Sequence, residues 1–302
     1  MTAYTQVSSN RFKTWLIMLL FAFFITFVVY VFTIFLGFEG PSALGFSGIA
    51  LIIAGILNFF SYYNSDKIVM AISRAKQIKK KDNPQLFRVV ENLCIASGLP
   101  VPKIYTINDS APNAFATGRD PEHASIAFTS GILGKLTKLE LEGVAAHELS
   151  HVGNYDTRVM TIVSILVGTV ALASDFFLRI SFYSNRDRED NRGSGVLVAL
   201  GLVMAILAPI IATLIQLAIS RKREFLADAS GAVLTRNPDA LADALLKISG
   251  DREPLEVANK ATAHLYISDP LKNQKNAIGW FAGLFNTHPP ISDRVKVLRA
   301  MQ

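Results

Sequence analysis

Four long apolar runs constrain this chain more than any other feature. They are "TWLIMLLFAFFITFVVYVFTIFLG" from Thr14 to Gly37, "ALGFSGIALIIAGILNFFSYY" from Ala43 to Tyr63, "VMTIVSILVGTVALASDFFLRI" from Val159 to Ile180, and "GVLVALGLVMAILAPIIATLIQLAIS" from Gly195 to Ser220. Each is near or above the roughly twenty apolar residues that carry a helix across a bilayer. The chain is only 18% charged, against about a quarter in soluble domains, so a membrane protein is expected. The first run is too long for a signal-peptide core, and no small-residue cleavage site follows it. It is therefore expected to stay as an anchor. Pro209 predicts a kink of the kind membrane helices tolerate. Asp175, with Arg179 one turn on, reads as a helix-end ion pair near the interface. The single Cys94 excludes an internal disulfide framework and fits a reducing compartment.

Lys and Arg collect in cytoplasmic loops. Arg11 and Lys13 precede the first run, and Lys67, Arg74, Lys76, Lys79, Lys80 and Lys81 follow the second. The link "FEGPS" has neither residue type, and Arg221, Lys222 and Arg223 follow the fourth run. This bias predicts both termini in the cytoplasm. It divides the chain into a transmembrane hairpin at 1–63, half of a cytoplasmic domain at 64–157, a second hairpin at 158–220 and the other half at 221–302. The net charge of +6 is accounted for by membrane-flanking basic clusters. No aromatic-interleaved basic groove accompanies them, so nucleic acid is not an expected partner.

The polar parts show helix and strand signals. "NPQLFRVVENLCIASG" predicts a helix with Asn83 as N-cap, Pro84 in the first turn and Gly98 as the stop. "KIYTIN", "NAFATG" and "ASIAFTS" read as strands of a small sheet. A capping-box pattern, Thr137 with Glu140, predicts the start of a helix through "TKLELEGVAAHELSHVGN". On it Glu140, Val144, His147 and His151 share a stripe directed inward. "RKREFLADASGAVL" has no breaker before Gly231 and reads as a helix continuing from the fourth run. Further helices are expected in "NPDALADALLKISG" and after the proline pair of "NTHPPISDRVKVLRA". The fold class is thus a membrane α-helical protein with about four transmembrane helices and one mainly α, α+β cytoplasmic domain, zincin-like and carrying a small sheet.

The chemistry lies in "HELSH". Two imidazoles at i and i+4 lie on one helical face and can bind one metal ion, with Glu148 beside a water at the metal. A catalytic zinc takes three protein ligands, so a third is needed beyond His147 and His151. Glu224 is the candidate. The competing reading is a surface ion pair with a neighbouring arginine. Asp228, one turn on, is placed to orient a liganding imidazole. Glu148 would act as general base toward a peptide bond. His288 and Arg294 are candidates to stabilise the developing oxyanion, or else a helix-start histidine and a solvated arginine. Asn113, Ala114, Phe115, Ala116 and Thr117 could offer a sheet edge to a substrate strand, or form just a strand and turn. His123 and His264 read as structural or surface residues.

"AAHELSHVGNYD", "SRKREFLADASG", "PNAFATG" and "FNTHPPISDRVKVL" occur together in one order. In that combination the chain resembles the HtpX heat-shock membrane metalloproteases, relatives of the CAAX prenyl endopeptidases among the gluzincins. The resemblance implies zinc held by His147, His151 and Glu224, with Glu148 as base and Asp228 in support. It also implies His288 and Arg294 near the site, and a substrate cleft bordered by Asn113 to Gly118. It implies an endopeptidase of the bacterial inner membrane, active in stress response against damaged or misassembled membrane proteins. The expected partners are polypeptide substrates, the lipid bilayer and, further, other copies of the chain or other membrane quality-control proteases. Two alternatives stay open: a dedicated processing protease of narrow specificity, and a non-enzymatic scaffold or holdase tied together by zinc.

Overall fold

The structure is a computed structural model. It describes residues 3–35, 38, 40–184, 221–258, 262–268, 270 and 289–301. The fourth apolar run and His288 lie outside the described residues, as do the loop between the last two runs and the upstream continuation of the "RKREFLAD" helix.

The chain begins with two long helices, α1 (Ala3–Phe35) and α2 (Pro41–Tyr63). Among the described residues these are the two helices long and apolar enough to cross a membrane, over Val7–Val31 and Pro41–Tyr63. They pack on each other, and Asn58 Nδ2 donates to the Met18 carbonyl at 3.1 Å. Their outer faces leave Phe12, Trp15, Leu19, Phe23, Ile52, Ile56 and Phe59 exposed. So large an apolar surface is tolerated where lipid replaces water. The third run is helical within α7 (Asp156–Ser184). Its first turns are buried, with Val159, Val163, Leu166 and Val170 packed on Ile17, Met18 and Phe21 of α1. Nothing is described of the side chains of Asp175 and Arg179.

Between these helices lie α3 (Ser65–Ile72), β1 (Lys76–Gln77), α4 (Pro84–Ser97), β2 (Lys103–Ile107), β3 (Ala114–Gly118), β4 (Ala124–Thr129), α5 (Ser130–Lys135) and α6 (Lys138–Gly153). After the undescribed stretch come α8 (Arg221–Thr235), α9 (Pro238–Gly250) and α10 (Ile291–Arg299). The termini of α4, α6 and α9 follow local chemistry. Asn83 Oδ1 accepts from Leu86 N, and Gly98 closes α4 with φ +70°. Thr137 and Glu140 form the reciprocal capping box of α6. Asn237 caps α9. α8 runs through Gly231 to Thr235, beyond the point where a lone glycine would suggest a stop.

The three strands expected from the sequence join the two-residue β1 in a mixed sheet ordered β1-β2-β4-β3. β2 and β4 are parallel and the other pairs antiparallel. A core of Leu86, Val90, Ile126, Phe128, Val144, Leu149, Leu241 and Leu245 joins sheet, α4, α6 and α9. α6 lies at its centre, packed on α4, α8, α9 and β3.

Two glycines permit the close crossings of α6. A Cβ on Gly143 would stand 3.0 Å from both Cα and N of Leu241 in α9. A Cβ on Gly231 would stand 3.1 Å from the backbone nitrogen of His147. Because the facing atoms at Gly143 are main chain, they yield only if a helix shifts. Gly143→Ala is expected to lower unfolding stability by about 1–3 kcal/mol, measured by denaturant titration of the detergent-solubilised chain.

Candidate active site

The crossing of α6 and α8 brings together residues far apart in sequence. His147, Glu148 and His151 project from α6, and Glu224 and Asp228 from α8; all five are buried. His147 Nε2 lies 3.2 Å from His151 Nε2 and 3.7 Å from Glu224 Oε2, and His151 Nε2 lies 3.5 Å from Glu224 Oε1. A tetrahedral zinc with bonds of about 2.0–2.2 Å separates neighbouring ligand atoms by about 3.3–3.5 Å. The three donors therefore fit one such ion. Among the described residues, His147, His151 and Glu224 are the group of metal-ligating side chains with this convergence.

The far nitrogens of both imidazoles are held by carboxylates. His147 Nδ1 is 2.9 Å from Asp228 Oδ1, and His151 Nδ1 is 3.2 Å from Asp156 Oδ2. Each contact favours the proton on Nδ1 and turns the Nε2 lone pair toward the partner ligands. Asp228 is itself clamped by Arg294, whose Nε donates to Oδ2 at 2.8 Å and Nη2 to Oδ1 at 2.6 Å. Arg294 Nη1 also donates to the Ile267 carbonyl at 3.2 Å and lies 3.5 Å from Glu224 Oε2.

Burial and neighbouring charge displace the titrations here. Burial pushes Glu148 up to about 7, aided by the Glu224 charge, against the pull of His151, the Ala116 N–H and Arg294. For His151 burial acts downward, yet the Asp156 hydrogen bond and the Glu224 charge prevail and lift it to about 9. Burial lowers His147, with Arg294 adding to it against the Asp228 hydrogen bond. Burial would raise Asp228, but the charge and hydrogen bonds of Arg294 hold it below the usual carboxylate range.

The sequence-predicted residues thus divide. His147, Glu148, His151, Glu224, Asp228 and Arg294 converge. Glu224 and Arg294 are not surface groups: they are 3% and 0% exposed. A solvated arginine at position 294 is excluded because its guanidinium supplies the charge facing two buried carboxylates. His123 is a half-exposed partner of Asp120, at 2.6 Å. His264 is buried away from the metal-ligand group, against Ser164 and the Met160 carbonyl.

The candidate substrate residues form the outer strand of the sheet. Thr129 N donates to the Asn113 carbonyl, so the ladder phase turns the main-chain groups of residues 114, 116 and 118 outward. The Ala114 carbonyl accepts from Ile267 N at 3.0 Å, and Gly118 N donates to Thr161 Oγ1 at 3.2 Å. Ala116 N–H faces Glu148. Asn113 Nδ2 donates to the Ser268 carbonyl at 3.0 Å, Phe115 meets Tyr266 edge-on, and Thr117 pairs with Thr161. The middle of the edge borders the metal-ligating group, while its flanks carry contacts from the chain itself.

Sequence reading did not single out Asp156, Gly231 or the Ile267 carbonyl. Asp156 stands in "HELSHVGNYD", but past the end of α6. Helical periodicity says nothing across that turn, where Tyr155 takes φ +58°.

With this geometry in place, comparison with known proteins is informative. Residues 80–302 match peptidase family M48. A protein described as "Protease HtpX homolog" from Dictyoglomus thermophilum is 44% identical over 302 residues, covering 99% of this chain and 95% of that one. One from Tropheryma whipplei is 44% identical over 298 residues, covering 99% and 98%. The crystal structure of S. mikatae Ste24p superposes with a TM-score of 0.48 at 18% identity, covering 90% of this chain and 62% of that one.

The Arg294 clamp yields a stability test. Arg294→Leu leaves Asp228 buried without its cation and is expected to cost about 3–5 kcal/mol in denaturant unfolding of metal-free protein. Arg294→Lys should recover part of this, because an ammonium cannot reproduce the two-point contact.

Proposed function

Because this chain belongs to peptidase family M48 and is a membrane metalloendopeptidase, we propose that it uses one zinc ion held by His147, His151 and Glu224, with Glu148 as general base. The observation that carries this reading is the convergence of three buried donors beside a further buried carboxylate, Glu148, that is not one of them. Three protein donors are the composition of a hydrolytic site; structural zinc sites are closed by four.

Zinc held by His147, His151 and Glu224 would supply Lewis-acid chemistry, an acidified water and a polarised carbonyl. The remaining work falls to the chain. Asp228 and Asp156 keep His147 and His151 in the tautomer that leaves Nε2 for the metal. Glu148 accepts a proton at its carboxylate and returns it to the leaving amine. Arg294, through Asp228 and Glu224, holds ligands and support in place while lowering the cost of burying them. His288 would add a donor for the developing oxyanion. A polypeptide lies alongside β3, meeting the strand at Ala116, with Asn113, Ala114, Phe115 and Thr117 shaping the border. That border is narrow, since the neighbouring edge groups at Ala114 and Gly118 are already engaged.

The finer biology is proposed on the same basis. The polar regions 64–157 and 221–302 form one proteolytic domain, split by a hairpin over 158–220 that follows the N-terminal hairpin of 1–63. Four membrane segments place both termini and the active site on the cytoplasmic side of a bacterial inner membrane, as the Lys and Arg distribution supports. The substrates are damaged or misfolded membrane proteins, and the further partners are other copies of the chain or fellow membrane quality-control proteases.

The test uses full-length protein purified in detergent with zinc. Native protein should cleave an unfolded model protein. Glu148→Gln should retain about one zinc and lose activity by about 10²–10⁴-fold. Chelation should abolish native cleavage and added zinc should restore it. Unchanged cleavage by Glu148→Gln would remove the base assignment. Cleavage of a single tail-modified peptide and of no unfolded protein would point to a dedicated processing enzyme.

A further inference from the structure

Asn10 is fully buried near the start of α1, although this helix otherwise exposes large apolar side chains. Its amide nitrogen has two acceptors: the Asn154 carbonyl at 3.0 Å and Asp156 Oδ1 at 2.8 Å. The other oxygen of Asp156 meets His151 Nδ1 at 3.2 Å. Arg223, the residue before Glu224, approaches Oδ1 at 3.5 Å. One buried carboxylate therefore joins the first long apolar helix to the back of one proposed metal ligand, His151, and to the residue that precedes another, Glu224. The intervening turn carries a non-glycine residue, Tyr155, at φ +58°. Such a backbone persists where surrounding contacts over-determine it, and α1 supplies two of them: Asn10 to the Asn154 carbonyl and Arg11 Nη2 to the Tyr155 hydroxyl at 3.3 Å.

We propose that Asn10 is a positioning residue for the metal centre, which makes the first membrane helix a structural part of the site. Asn10 acts through Asp156. By donating to Oδ1 it keeps Oδ2 directed at His151 and so fixes the plane of that imidazole. Without the amide, the carboxylate loses a buried donor and is free to turn toward Arg223, and His151 loses its orientation. The inference rests on the reading of His147, His151 and Glu224 as zinc ligands.

The experiment measures zinc affinity of the full chain in detergent by competition with a chromophoric chelator, alongside kcat and KM. It compares native protein, Asn10→Ala, Asn10→Leu and Asn58→Ala. Asn58→Ala removes a similar buried amide-to-carbonyl bond between α1 and α2, with no link to the site. Both Asn10 variants are expected to bind zinc about tenfold more weakly, with kcat falling while KM holds; Asn58→Ala should match native protein in both. Asn10→Leu keeps a side chain of similar branching without adding a buried charge beside Asp156, and so carries the test if Asn10→Ala does not fold. Native zinc affinity in a folded Asn10 variant overturns the proposal. So does an equal loss in Asn58→Ala, which would make the effect one of general helix packing. Zinc affinity is read independently of cleavage, so failure of the proteolytic reading would be seen separately.

Discussion

The structure depends on how it buries charge at the crossing of α6 and α8. Glu148, Asp156, Glu224 and Asp228 are carboxylates removed from water within two turns of one another on adjoining elements. Isolated burial of such groups is very costly. Here each of the two nearby guanidinium groups approaches one or more of the carboxylates: Arg294 clamps Asp228 and approaches Glu224, and Arg223 approaches Asp156. The imidazoles stand between the two sets of acids. A cation at the three converging donors would add positive charge where Glu224 and Glu148 lie close together. The polar network and the proposed zinc are thus two parts of one electrostatic arrangement.

Close approach makes that arrangement possible. Gly231 allows the backbone of α8 to lie against His147, and Gly143, one turn earlier on α6, allows α9 to lie close to that helix. Glu224 of α8 then lies within 3.7 Å of His147 Nε2 and 3.5 Å of His151 Nε2 on α6. α6 is defined at its start by a capping box and wrapped by α4, α8, α9 and β3. A side chain projecting from so enclosed a helix has few alternative positions, which is the preorganisation a metal-dependent reaction needs.

The long apolar helices are not merely attached to this assembly. α7 begins at Asp156, whose carboxylate supports His151, and its buried first turns pack on α1. α1 in turn reaches the same carboxylate through Asn10. The apolar and polar parts of the chain therefore share residues at the boundary between them, joined there by buried hydrogen bonds. This continuity follows from placing the metal-ligating helix directly before a long apolar helix with only a tight turn between.

Much was legible in the sequence because the physics was local. Apolar length predicted α1 and α2, side-chain capping predicted the starts of α4, α6 and α9, and short stretches rich in β-branched and aromatic residues between turn formers predicted β2, β3 and β4. The spacing of His147, Glu148 and His151 placed them on one face because helical geometry alone requires it. Tertiary structure decided everything that joins distant segments. It decided between the two readings of Arg294, a site residue or a solvated arginine, by making it a buried clamp, drew Glu224 to the two histidines, and filled the flanks of the β3 edge with Ile267 and Thr161. It also recruited Asp156 and Asn10, which no periodicity connects across the Tyr155 turn. Local propensities act over a few residues, whereas the compensation of buried charge is settled by whichever elements the core brings into contact.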